Sequence, residues 1–278
     1  MVHVRRAAVA GSWYPAHPDA LAREVDRYLT ASGEPPQGDP IAIIAPHAGL
    51  MYSGPIAAYA YNLLRGREID VAVLVGPSHY VGFDGVALYE HGVFETPFGL
   101  VPIAEECAAA VARGSSLIHT HPTAHMREHS LEMQLPFLQR VLPGTPIVPL
   151  VMGFQRRETA YALGEAIAAA VKGRKALLVA STDLSHYQSA TTAATLDEKL
   201  IDYVRRFDPD GLMALLEAFP EHACGGGPTV AVMRAAKILG AADASVLKYG
   251  DSGDVSGDKD AVVGYLAAAF GTFATARN

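Results

Sequence analysis

The chain has 278 residues, of which 50% are hydrophobic and 18% are charged, and its formal net charge at pH 7 is -7. A chain of this length and composition can bury a large core without dividing into several domains. An acidic balance without a lysine or arginine cluster argues against a nucleic-acid-binding surface, because such surfaces draw their affinity from phosphate neutralisation. We therefore expect one domain over residues 1–278 that binds a small molecule or another protein.

The N-terminal stretch MVHVRRAAVAGSWYP carries two arginines, but no apolar run of signal-peptide length follows it. The uncharged, largely apolar stretch at residues 261–274 is shorter than the roughly 18 residues that a membrane helix needs, and glycines interrupt it. These features predict a cytoplasmic protein that does not contact membranes. Without an export signal, the two cysteines are not expected to form a disulfide, and the helical pattern around Cys107 predicts a buried small hydrophobe.

Predicted strands and helices alternate along most of the chain. The run IAIIA precedes a predicted helix, SGPIAAYAYNLLRGRE, and the strand VAVLVG, so this unit implies a parallel strand pair with a right-handed crossover. The alternation continues through EECAAAVARG, SLEMQLPFLQRVL, TPIVPLVMG, ETAYALGEAIAAAVKG, KALLVAST, PTVAVMRAAKILG and ASVLKYGDSG. Residues 81–99 have short alternating runs instead, which predict a hairpin or an edge extension. The pattern predicts an α/β fold with a mostly parallel, mixed central sheet and helices on both faces.

Three strand-like runs end in small-residue turns that carry a histidine: His47 in IAIIAPHAG, His79 in VAVLVGPSHY and His186 in ALLVASTDLSHY. Side chains just past the ends of parallel strands converge on one rim of the sheet. A single such histidine usually ties down its own turn, but His47 and His79 occupy equivalent places in successive units. Because neutral imidazole is a common ligand for zinc, iron and copper, the pattern predicts a metal or acid/base site.

Two further residues complete this candidate site. Cys224, in EHACGGGPTV, precedes glycines that allow close backbone approach and a helix N-terminus that favours negative charge. Its local features leave three roles open: a metal ligand, a packed cysteine at a helix entry, or a nucleophile with a histidine base. Asp183, three residues before His186, would suit a general acid/base pair, whereas the alternative is a turn cap.

Three residues are candidates for the pocket around this site. Trp13 is the only tryptophan, and it would either cover the pocket or anchor a terminal segment. His129 and Glu132 fall in the first turn of a predicted helix, where Glu132 would support the site from behind or cap the helix. The histidine-rich residues 119–129 match no standard zinc motif, so we interpret them as a lid or pocket wall.

As a set, these residues resemble the Memo family of cytoplasmic proteins, whose bacterial and archaeal members are also called AmmeMemoRadiSam system protein B. The matching stretches run from the first residues to the last: RRAAVAGSWYP, IIAPHAGLMYSGPIAAYAY, GPSHY, TPFG, EHSLEMQLPFL, STDLSHY, ACGGGPTVAV and VVGYLAAAF. The family is similar in fold to the class III extradiol dioxygenases. In those enzymes two histidines and a carboxylate hold non-haem iron, and another histidine acts as acid/base.

The resemblance implies metal ligands at His47, His79 and Cys224, and an acid/base role for His186 with Asp183 nearby. The third ligand departs from the dioxygenases, because a thiolate replaces the carboxylate. Thiolate is softer and strongly electron-donating, so it shifts the metal preference towards copper, zinc or a differently tuned iron. Ring cleavage is therefore not implied by the resemblance alone.

The leading hypothesis is a redox-active, dioxygenase-like enzyme with iron or copper as cofactor and an unknown substrate. The alternative is a binding or adaptor protein that uses the same pocket for a peptide or small ligand, since eukaryotic relatives are linked to signalling and phosphopeptide binding. Zinc-assisted hydrolysis is a third reading. The resemblance also implies an association with an AMMECR-like protein and a radical-SAM enzyme.

Overall fold

The computed structural model describes residues 3–274, and strands and helices alternate along them as the sequence predicts. Within this range the α-helices are α1 (Pro18–Ala31), α2 (Leu50–Asn62), α3 (Glu105–Arg113), α4 (Pro122–His125), α5 (Leu135–Val141), α6 (Arg157–Val171), α7 (Ala190–Arg205), α8 (Pro209–Ala218), α9 (Gly226–Ile238) and α10 (Gly253–Ser256). The strands are β1 (Val4–Arg5), β2 (Gly38–Ala45), β3 (Val71–Pro77), β4 (Val86–Leu88), β5 (Val93–Thr96), β6 (Gly99–Pro102), β7 (Ile118–Thr120), β8 (Ile147–Met152), β9 (Ala176–Ser181), β10 (His186–Gln188), β11 (Asp243–Asp251) and β12 (Val262–Phe273). No helix formed by residues 3–274 combines the length and apolar character needed to cross a bilayer.

A nine-stranded mixed sheet forms the centre of the fold, with the order β10-β12-β2-β9-β3-β8-β4-β7 and β11 paired to β12. The middle strands β2, β9, β3 and β8 are parallel, whereas β12 and β4 run antiparallel to their neighbours in this parallel group. β3 and β8 are buried along their whole length, as expected for parallel strands covered by helices on both faces. The predicted α/β class and mixed sheet are thus confirmed.

One detail of the strand pairing differs from the sequence interpretation. β2 and β3 are parallel but do not pair directly, because β9 lies between them and hydrogen-bonds to both. The crossover through α2 therefore skips one position in the sheet. That position is occupied by β9, a strand more than 100 residues further along the chain. As a result, the carboxyl ends of β2, β9 and β3 are immediate neighbours at one rim of the sheet.

Residues 81–99 contribute to both of the structures that their alternating pattern predicts, although the second strand of the hairpin lies mostly beyond residue 99. β4 lies near the edge of the central sheet between β8 and β7. β5 and β6 form an antiparallel hairpin, and β1 joins β5 to make a separate three-stranded sheet. The N-terminal segment continues from this small sheet to Trp13, whose carbonyl accepts the backbone N–H of Leu50 at the start of α2 at 2.8 Å, soon after the end of β2.

Candidate metal site

A cavity of about 430 Å³ opens at this rim of the central sheet. Its described lining residues are Trp13, His47, Ala48, His79, His129, Asp183, His186, Tyr187, Cys224 and Val263. The three strand-end histidines therefore meet in one place, together with the cysteine and the aspartate that the sequence singles out. Seven of the eight predicted site residues line the cavity, and Glu132 does not.

His47 follows β2 and is held by a hydroxyl at the end of β9. Its Nδ1 lies 2.9 Å from Ser181 Oγ. Ser181 Oγ donates its one proton to the carbonyl of Ser130 at 2.6 Å and accepts a hydrogen bond from Gln134 Nε2 at 2.7 Å. Ser181 can therefore only accept from His47, so the ring proton lies on Nδ1 and Nε2 keeps a free lone pair.

His79 follows β3 and is oriented by the carboxylate of Glu128, which is not among the site residues predicted from the sequence. Its Nδ1 lies 2.8 Å from Glu128 Oε1, and the backbone N–H groups of His79 and Ser130 donate to the same carboxylate at 2.6 and 2.8 Å. Burial alone would raise the pKa of Glu128, but these hydrogen bonds outweigh it and lower the pKa to about 2. The carboxylate thus accepts a hydrogen bond from Nδ1, so Nε2 is the ring nitrogen of His79 that is left to bind a metal.

Cys224 reaches the cavity from the turn before α9. Its Sγ lies 3.2 Å from His47 Nε2, and the backbone N–H of Asp183 donates to it at 3.3 Å. Burial, followed by the negative charge of Asp183, raises the pKa of the thiol well above its usual range. A thiol in this setting keeps its proton until a metal displaces it, so metal binding would release that proton.

Gln155, which follows β8, holds the turn that carries Cys224. Its Nε2 donates to the carbonyl of Cys224 at 2.6 Å, and its Oε1 accepts the backbone N–H of Gly227 at 2.7 Å. Gln155 is not among the candidates predicted from the sequence, although it lies just past a strand end, as His47 and His79 do.

The donor atoms of His47, His79 and Cys224 all lie within 4.8 Å of one another. Burial, and after it the neighbouring His79, lowers the pKa of His47 to about 3, so this imidazole is neutral. Two imidazole nitrogens and one sulfur form a donor set that suits iron, copper or zinc. These residues therefore fit a transition-metal ion.

Asp183 and His186 lie beside this donor set. Asp183 Oδ1 accepts the backbone N–H groups of His47 at 2.7 Å and Ala48 at 3.3 Å, while burial raises the pKa of its carboxyl. One donor atom from each of Asp183, His186 and Cys224 lies within 4.8 Å of the other two. In the described residues no hydrogen bond joins Asp183 directly to His186, so the carboxylate is near the ring without orienting it.

Trp13 and His129 form one wall of the cavity. The Trp13 ring centroid lies 4.2 Å from that of His129, which in turn stacks on His79 at 4.5 Å. Burial, and then the nearby His47, lowers the pKa of His129 to about 4. Of the histidine-rich residues 119–129, only His129 is among the described residues that line the cavity. The predicted pocket wall is therefore reduced to this one residue.

Glu132 was expected at the pocket or as a helix cap, and the structure places it elsewhere. It is fully buried and pairs with the equally buried Arg5. Its carboxylate also accepts the backbone N–H groups of Ala8 at 2.8 Å and Val9 at 3.0 Å, and the Tyr14 hydroxyl at 2.6 Å. Glu132 therefore anchors the N-terminal segment that carries Trp13. This segment is more than 100 residues away in the sequence, so helix periodicity cannot reveal the contact.

The fold and the site define an α/β protein with a candidate transition-metal centre at the carboxyl ends of its parallel strands. Residues 5–269 match the family model described as Memo-like protein. A MEMO1 family protein of Methanothermobacter thermautotrophicus is 40% identical over 94% of this chain and 98% of its own length. One from Methanopyrus kandleri is 37% identical over 96% and 98%, respectively. The chain belongs to the Memo family, as its motifs indicate.

A solved structure supports the same fold. The crystal structure of an uncharacterized protein from Escherichia coli K12 superposes with a TM-score of 0.54, covering 81% of this chain and 98% of that one. The sequence identity is only 14%, so this likeness concerns the fold alone.

Proposed function

We propose that this Memo family protein is a metal-dependent oxidoreductase that binds iron or copper through Nε2 of His47, Nε2 of His79 and Sγ of Cys224. The observation that carries the proposal is the hydrogen bonding of both Nδ1 atoms to groups outside their own turns. Ser181 and Glu128 each accept a hydrogen bond from an Nδ1 atom, so both Nε2 atoms are left to point into the same small group of donor atoms. A histidine serving only to stabilise its own turn would not need this external orientation.

A redox-active metal bound there would supply electron transfer to a substrate in the cavity. The protein's own residues supply the remainder of the chemistry. His186 lies in the cavity wall, half-buried, where its ring can reach a bound molecule and exchange a proton with it. Asp183 Oδ1 is occupied by backbone N–H groups, which leaves Oδ2, 4.0 Å from His47 Nε2, as the oxygen that faces the donor set.

The first experiment is elemental analysis of protein purified anaerobically, comparing wild type with Cys224→Ala and Cys107→Ala. Cys107 is the matched control, because it is the other free cysteine and is buried in α3 away from the cavity. We expect close to one equivalent of iron or copper in the wild type and in Cys107→Ala, and a sharp loss in Cys224→Ala with the fold retained. Full metal content in Cys224→Ala would contradict the ligand assignment.

A second measurement separates the redox proposal from its rivals. Replacing His186 by Gln should leave the metal content unchanged while reducing substrate-dependent oxygen uptake, because His186 is outside the proposed ligand set. Turnover that proceeds without oxygen or another electron acceptor would instead support zinc-assisted hydrolysis. Wild-type protein that is metal-free and resists reconstitution would support the non-catalytic binding protein.

A further inference from the structure

Tyr187 has a strained backbone conformation that the packing of its own side chain does not offset. Its φ is +60°, in the left-handed region that bulky side chains rarely adopt, and its side chain is 78% exposed. Phe207 is the other non-glycine residue with positive φ among the described residues, at +52°. The Phe207 ring is buried and stacks on Phe270 at 4.7 Å, so packing offsets its strain. Tyr187 has no comparable compensation.

The strain at Tyr187 arises from a β-bulge that changes the direction of its side chain. His186 pairs with Val263 and Gln188 with Val262, so two steps along β10 correspond to one step along β12. Tyr187 is the extra residue, and it has no partner in this register. Successive residues of a regular strand point to opposite faces, yet His186 and Tyr187 both line the cavity. The bulge therefore brings both side chains to the same site.

The walls near Tyr187 indicate the kind of molecule that would contact it. Trp13 contributes an indole ring and Val263 an aliphatic surface to the same cavity. Among the described lining residues there is no lysine or arginine, and Asp183 is the only carboxylate. These surfaces suit a flat, uncharged ring better than a phosphate group, which would need a cationic partner from the protein.

We propose that Tyr187 is a specificity-determining residue whose strained conformation holds its ring against a flat, uncharged, aromatic part of the substrate. This inference rests on the proposed function, because it takes the same cavity as the substrate site. Strained residues of this kind persist where the surrounding structure enforces them, and they concentrate at functional sites. Here β12 enforces the bulge, and the exposed ring remains available to a ligand.

The first part of the test measures stability. Tyr187→Gly and Tyr187→Asn accept positive φ, so their denaturant midpoints should equal or exceed the wild-type midpoint. Phe207→Gly, the matched control, relieves the same backbone strain but loses a buried ring, so its midpoint should fall clearly. A loss in Tyr187→Gly as large as that in Phe207→Gly would overturn the proposal, because the Tyr187 ring would then be structural.

The second part measures binding of 5-fluoroindole by ¹⁹F NMR, with protein as isolated and after chelator treatment. The pyrrole nitrogen of this probe carries a hydrogen and does not ligate metals, so the result is independent of the proposed metal site. We expect Tyr187→Phe to retain wild-type affinity and Tyr187→Gly to lose about twofold to tenfold, the usual range for an aromatic contact. The anionic control, 4-fluorophenyl phosphate, should bind more weakly to all of these proteins.

Two outcomes would overturn the assignment of Tyr187. One is equal affinity of 5-fluoroindole for wild type and Tyr187→Gly, or no binding to either. The other is tighter binding of 4-fluorophenyl phosphate than of 5-fluoroindole. A failure of the metal proposal would appear separately, as metal-free protein in the elemental analysis.

Discussion

Glu128 and His79 form a pair in which a buried carboxylate oxygen lies 2.8 Å from the Nδ1 atom of a partly exposed ring. The carboxylate is only 2% exposed, so water competes little for this hydrogen bond. A second pair, His91 and Glu105, has a comparable separation of 3.3 Å but lies on the surface with both side chains more than half exposed. The contrast offers a direct test of whether the buried carboxylate supports a metal ligand.

Replacing Glu128 by Gln should weaken metal binding by about tenfold to 100-fold, the usual effect of removing a carboxylate that orients a histidine ligand. The amide cannot accept all three N–H groups as strongly as the carboxylate does, so the His79 ring loses its fixed orientation. Competition with a chromophoric chelator measures the affinity. Glu105→Gln is the control and should have no effect. Unchanged affinity in Glu128→Gln would show that His79 is not a ligand or needs no support.

Replacing Ser181 by Ala should destabilise the protein by about 1–3 kcal/mol, because two buried donors, from His47 and Gln134, lose their acceptor. Metal affinity should fall as well, since the proton on His47 Nδ1 is no longer held in place. Ser185→Ala is the matched control. Ser185 is equally buried, but within residues 3–274 its Oγ has no hydrogen-bond partner. Urea denaturation and chelator competition should therefore leave that variant close to wild type, and similar losses in both would contradict this assignment.

Replacing Glu132 by Gln should destabilise the protein by about 3–5 kcal/mol, because it leaves the fully buried Arg5 without a charged partner. The same change should release the segment that carries Trp13 and shift its fluorescence to longer wavelength. Trp13 is the only tryptophan, so the emission spectrum reports on this segment alone. The control is Glu95→Gln, which breaks the exposed pair with Arg6 and should change stability by at most about 0.5 kcal/mol. An unshifted spectrum would show that Glu132 does not position Trp13.

His125 should make the metal-free protein less stable in acid. Burial is the main cause that lowers its pKa from 6.5 to about 3, with a smaller contribution from the charge of Arg5. The unfolded chain takes up a proton near pH 6.5 and the folded protein does not. The stabilisation from neutral His125 is therefore complete above that pH and is lost as the pH falls towards 3.

Two pH units below 6.5, this loss reaches about 2.7 kcal/mol. Urea unfolding at about pH 7.5 and about pH 4.5 measures it, with His125→Gln as the comparison because glutamine does not titrate. The variant should lose less stability than the wild type between the two conditions. An identical loss in the two proteins would mean that His125 does not carry this pH dependence.

The sequence by itself determined the order of strands and helices and the set of candidate site residues on the strand ends. Apolar periodicity and small-residue turns are local signals, and parallel strands bring their carboxyl ends together whatever their order in the sheet. His47, His79 and His186 could therefore be assigned to one rim without knowing that β9 separates β2 from β3. Family motifs added Cys224 as the third member of the donor set.

Only the tertiary structure decided which partners orient these residues. Ser181 contacts His47 across 134 positions, and Arg5 contacts Glu132 across 127. Such hydrogen bonds depend on strand order and side-chain direction, which no short-range pattern encodes. The bulge at Tyr187 likewise depends on its register with β12. Periodicity thus identified the candidate groups of the site, whereas long-range packing determined their hydrogen-bond partners, their orientation and the walls of the cavity.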